Sequence, residues 1–128
     1  MTWTRGNTGR GWMYNLNMQT VNYLRFLPEI TRRILSVSDP EKIILFGSYA
    51  RGDNNSNSDL DLLVVMKYVE SPRSESIRLR QALRGLLVPV DVIVVTTEQM
   101  DRYGKTSGLI YQSAQAEGKL VYEKPVPG

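Results

Sequence analysis

The chain contains no cysteine and no histidine among its 128 residues. The first absence excludes disulfides and thiolate metal sites, and it suits a reducing cytoplasm, where the protein is expected. The second removes the commonest acid/base group at neutral pH and a common zinc ligand. Carboxylates are left as the natural metal donors, and a metal held by them would be hard, Mg²⁺ or Mn²⁺. No apolar run approaches the ~20 residues of a membrane span. Lysine and arginine never form a block of five, and the aromatics do not interleave with them. The net charge of +3 therefore describes a mildly basic surface, and direct nucleic-acid binding is not expected. What the chain does have is 41% hydrophobic residues, enough for a modest core in a single domain.

Residues 1–18 carry three glycines and no apolar periodicity, and they lack the apolar stretch of a signal peptide. They read as a flexible N-terminal extension, or as a start assigned too early, with Met13 and Met18 as later starts. The domain is expected over 19–124, with 125–128 as a frayed tail. Leu27, Ile30, Ile34 and Val37 recur at helical spacing within 19–37, where Pro28 either opens a second helix or kinks the first. Asp39-Pro40 stops that helix.

Strands are expected at Lys42–Phe46, Asp59–Met66, Val90–Val95 and Lys119–Glu123, with a short helix beginning near Tyr49. A helix over Pro72–Leu87 puts Leu79, Ala82, Leu83, Leu86 and Leu87 on one face. Its Arg78, Arg80 and Arg84 face either solvent or an acidic partner. Helical stretches follow at Thr97–Tyr103 and Thr106–Glu117. This alternation gives an α/β (α+β) fold, a small mixed β-sheet flanked by helices.

The chemistry is concentrated between residues 47 and 61. Gly47 and Ser48 lie where a strand gives way to a helical turn, a place where backbone N–H groups can face a phosphate. No Gly-x-x-x-x-Gly-Lys-Ser/Thr string is present, so this is not a Walker loop. Arg51 could reach a phosphate, brace an aspartate or stand in solvent, and Asp53 reads as a polar loop residue. Twelve residues after Gly47, Asp59 and Asp61 form an Asp-x-Asp pair on an apolar strand. Strand alternation aims both the same way with Cα atoms roughly 6–7 Å apart. Two like charges so close raise each other's pKa unless a cation sits between them. Asp91 is a lone acid in the run Val90–Val95. Beside the second strand it completes a carboxylate triad; alternatively it caps a strand start or pairs with an arginine.

The string from Leu45 to Val64, Leu-Phe-Gly-Ser-Tyr-Ala-Arg-Gly-Asp followed by Ser-Asp-Leu-Asp-Leu-Leu-Val, resembles the minimal nucleotidyltransferases of the DNA polymerase β-type superfamily. The resemblance runs from about Ile30 to Glu123. It implies ATP as donor substrate and Mg²⁺, two ions, held by Asp59, Asp61 and Asp91. Gly47 and Ser48 match the triphosphate-binding turn, with Arg51 just after it. Members of this group are often antitoxins that transfer AMP to a tyrosine of a partner HEPN-type nuclease toxin, so a hetero-oligomer with such a toxin is expected. Two other readings are a non-catalytic module that masks the toxin sterically and an aminoglycoside-type enzyme acting on a small molecule. The Gly/Arg-rich start has no counterpart in the resemblance.

Overall fold

The computed structural model describes residues 22–103 and 116–127. The expected N-terminal extension and most of the expected helix over Thr106–Glu117 lie outside the described residues. A 3-10 turn at Tyr23–Phe26 leads directly into α1, Leu27–Val37. Pro28 sits in the first turn of α1, where its missing N–H costs nothing, so it opens this helix rather than kinking a longer one. Ile30 and Ile34, one turn apart, are fully buried.

Four strands follow in a single sheet of order β3-β2-β1-β4. β1 is Lys42–Phe46, β2 Leu60–Met66, β3 Val90–Thr96 and β4 Lys119–Glu123. β1 runs antiparallel to both β2 and β4, whereas β2 and β3 are parallel. The parallel pair needs a crossover, supplied by α3, Pro72–Ala82. Ser71 caps α3 by accepting from the Ser74 amide at 3.2 Å, and Pro72 occupies its first turn.

The two faces of the sheet carry separate cores, as alternation along the strands requires. Ile43, Leu45, Leu60, Leu62, Val64, Val92 and Val94 face α1 and α3 and pack with Ile30, Ile34, Leu79 and Leu83. Phe46, Leu63, Val65 and Val95 form a second cluster on the opposite face with Met100 of α4, Thr97–Tyr103.

Two expected boundaries shift. α3 ends at Ala82, five residues short of Leu87, and the chain turns through Leu83–Gly85. Arg33 of α1 reaches across to donate to the carbonyls of Ala82, at 3.4 Å, and Arg84, at 2.9 Å, so a tertiary contact supplies donors to the end of the helix. Leu87 is consequently off the buried face and 94% exposed, whereas Leu79 and Leu83 are buried as expected. β2 begins at Leu60 rather than Asp59. Its partner β1 stops at Phe46, opposite Asp61, and turns away at Gly47, which leaves Asp59 without a strand beside it.

Candidate active site

The residues singled out in the sequence gather at one end of the sheet, where β1 finishes and β2 and β3 begin. Gly47 follows β1 and precedes α2, Ser48–Arg51. Its φ of 77° lies in the range that side chains disfavour, and its carbonyl accepts from the amides of Ala50 and Arg51, both at 3.1 Å. A Cβ built on Gly47 would overlap Asp61 Oδ2 and stand 3.1 Å from Asp61 Cγ. The turn and the carboxylate therefore interlock: the absence of a side chain at 47 is what makes room for Asp61.

Asp61 is the centre of the arrangement. It lies on an inner strand, paired in register with Phe46 of β1 on one side and Asp91 of β3 on the other. Adjacent strands lie about 4.8 Å apart, and in-register residues share a face, so Asp61 and Asp91 stand side by side. Burial, then the charges of Asp91 and Asp59, push the Asp61 carboxyl above its ordinary range, with Arg51 pulling the other way. Asp59 is exposed at the mouth of β2. The loop ahead of it is held by its own polar groups. The Asn55 amide donates to Ser58 Oγ at 2.9 Å, and the Asn57 amide donates to Asn55 Oδ1 at 2.8 Å.

Asp91 does pair with an arginine. Arg80 Nη2 donates to its Oδ1 at 2.9 Å, and both side chains are about half exposed. Arg51 bonds none of the three aspartates; it donates to Asp53 at 3.1 Å and stands 3.6 Å from Glu117. This brace ties α2 to the residues just before β4. Arg80 drew attention in the sequence only as part of a basic helix face. No spacing rule links a helix residue to an acid eleven positions later on a strand, so nothing local could have found the pair.

The donor set suits a hard divalent cation. Three carboxylates lie at one end of the sheet, and burial and then two neighbours of its own sign raise Asp61. Among the described residues, no group of three such donors is drawn together as a ready-made metal site. Nor is any described helix long and apolar enough to cross a membrane.

A model of the nucleotidyltransferase domain matches residues 25–121, and the chain belongs to that family. Over 25 residues it is 68% identical to a candidate protein adenylyltransferase of Methanocaldococcus jannaschii, a stretch covering 20% of this chain and 25% of that relative. The chain thus matches about a quarter of the length of that curated relative. Its fold is similar to a candidate nucleotidyltransferase from Sulfolobus solfataricus, with a TM-score of 0.56 and 27% identity over 79% of this chain and 83% of that one. It is also similar to a chain in the complex of a tri-AMPylated Shewanella oneidensis HEPN toxin with its MNT antitoxin. There the TM-score is 0.51 at 17% identity, covering 77% of this chain and 70% of that one, and the likeness is one of fold.

Proposed function

We propose that this chain transfers AMP from ATP to a protein hydroxyl, a tyrosine of a HEPN-type toxin, and so acts as the toxin's antitoxin. The observation that carries the reading is the interlock of Gly47 with Asp61, with Asp91 beside it. The glycine turn, which in this reading binds phosphate, lies directly against a pair of acids. The likeness to the tri-AMPylated toxin complex supports the choice of acceptor.

In this reading, Gly47 and Ser48 bind the triphosphate. Asp59, Asp61 and Asp91 would hold Mg²⁺, which would supply charge neutralisation at the α-phosphate. The acceptor oxygen attacks the α-phosphorus and its proton passes to Asp91. The bond between the α- and β-phosphates breaks, and pyrophosphate leaves with the electron pair. The raised proton affinity of Asp61 in the free protein fits a carboxylate built to face a cation. The histidine-free composition also fits, since the reaction needs positioned carboxylates and metal rather than an imidazole.

The test is incubation of the protein with radiolabelled ATP and Mg²⁺, with and without the product of the adjacent gene, followed by reading label on protein. Label on the partner that disappears in Asp61→Asn supports the reading. A stable complex with no label in the wild type would replace it with the non-catalytic masking module.

A further inference from the structure

Among the described residues β3 is an outer strand of the sheet, so one of its sides has no described strand neighbour. The Leu60 amide donates to the Pro89 carbonyl across the β2–β3 ladder at 2.9 Å. Alternation along β3 then turns the Val92 carbonyl to the open side. Two side chains of α3, one turn apart, take that carbonyl: Ser76 Oγ at 3.3 Å and Arg80 Nη2 at 3.0 Å. The same Arg80 nitrogen also donates to Asp91 Oδ1 at 2.9 Å.

α3 packs on the face of the sheet that carries Val92 and Val94, whereas Asp91 belongs to the opposite face with Ile93. Arg80 therefore reaches round the sheet edge to meet the carboxylate. A guanidinium nitrogen anchored on a main-chain carbonyl cannot follow Asp91 into another rotamer without giving up that anchor. Half-exposed ion pairs of this kind contribute little to folding, so the consequence of the pair lies in the site.

We propose that Arg80 is a positioning residue for the transfer, an inference that rests on the function proposed above. It fixes Asp91 by one oxygen, leaves Oδ2 for the reaction, and offsets one negative charge of the carboxylate cluster. Removing it has two opposed effects. The cluster gains net negative charge and draws a divalent cation more tightly, while Asp91 turns freely and transfer slows. A residue that only supported the fold would weaken both together.

The experiment compares the full chain with Arg80→Met, Arg80→Lys and Ser76→Ala. Mn²⁺ binding to the nucleotide-free protein is followed by the paramagnetic resonance of free Mn²⁺, and kcat and KM for ATP are measured on the labelled-acceptor assay. Arg80→Met is expected to bind Mn²⁺ roughly tenfold more tightly at low salt. Its kcat is expected to fall by roughly tenfold with little change in KM for ATP. Arg80→Lys, which keeps the charge and can still bond Asp91, stays near wild type in Mn²⁺ affinity and recovers most of kcat. Ser76→Ala removes the other bond to Val92 without touching Asp91 and leaves both measurements unchanged. Mn²⁺ binding in Arg80→Met that is unchanged or weaker overturns the proposal, as does an unchanged kcat. If the wild type transfers nothing, the proposed function fails on its own account, and without transfer Arg80 is no positioning residue. The Mn²⁺ comparison then still reads whether it offsets charge in the cluster.

Discussion

Gly47 and Asp61 occupy each other's space: the carboxylate of Asp61 fills the position that a Cβ on Gly47 would take. Gly47→Ala meets two obstacles at once, a φ of 77° and a collision with the central acid. We expect it to lose about 1–3 kcal/mol of stability and to reduce transfer by roughly 100-fold or more. Gly52→Ala is the matched control. Gly52 also has positive φ, 85°, but nothing stands within 4 Å of its added Cβ, so it should lose only about 1 kcal/mol and keep its activity. Thermal unfolding and the label assay on the two variants separate backbone strain from damage to the site.

Asp61→Asn should stabilise the nucleotide-free protein while abolishing transfer. The folded-state proton affinity of Asp61 is raised, so the folded chain holds this proton more firmly than the unfolded one. Its ionisation therefore weakens the fold, and stability falls as pH rises from the ordinary value of 3.8. Because Asp61 is only partly buried, solvent screens the repulsion, and a rise in Tm of about 1–3 °C at neutral pH is expected in the variant. Scanning Tm against pH in both proteins checks the sign. A lower Tm in Asp61→Asn would refute it.

Glu29 gives the opposite pH behaviour. Hydrogen bonds from Arg32 and then Arg33 hold its carboxyl down at about 2 against an ordinary 4.5. Its contribution is present above pH 4.5 and is lost as pH falls towards 2. Acid unfolding of Glu29→Gln should accordingly be flatter over that window than that of the wild type.

Arg33 does more than pair with Glu29, because it also bonds the carbonyls at the end of α3. Arg33→Met should lose about 1–2 kcal/mol in urea unfolding. Arg32→Met should lose less, since Arg32 is two-thirds exposed and bonds only Glu29 among the described residues.

Leu79→Ala should cost about 2–5 kcal/mol, whereas Leu87→Ser should stay within about 0.5 kcal/mol of wild type. Leu79 is fully buried and Leu87 almost fully exposed, although helical spacing alone puts them on one face. Equal losses in urea unfolding would mean that the helix continues past Ala82 in solution.

That last pair marks the limit of what the sequence disclosed. The strands, the start of α3 and the short helix after Gly47 were legible because apolar runs and capping residues are local signals. The end of α3 was not, because its carbonyls are met by Arg33, nearly fifty residues earlier. Alternation along Val90–Val95 says which way Asp91 faces but not which strand lies beside it. The in-register pairing of Asp61 with Asp91 appears only once α3 has carried the chain across. The roles proposed for the individual site residues rest on their types, their order and the family resemblance. What no local rule held was the interlock at Gly47 and the reach of Arg80 round the edge.

The mixed sense of the sheet also sets the order in which the site can come together. β1, α2 and β2 close as a local antiparallel unit that brings Phe46 opposite Asp61 across fourteen intervening residues. Asp91 joins only across twenty-nine intervening residues and a parallel crossover, a more costly closure. Closing the glycine turn against the Asp59–Asp61 strand therefore costs less chain entropy than bringing in the third acid. Docking of β3 is the step that makes the site complete.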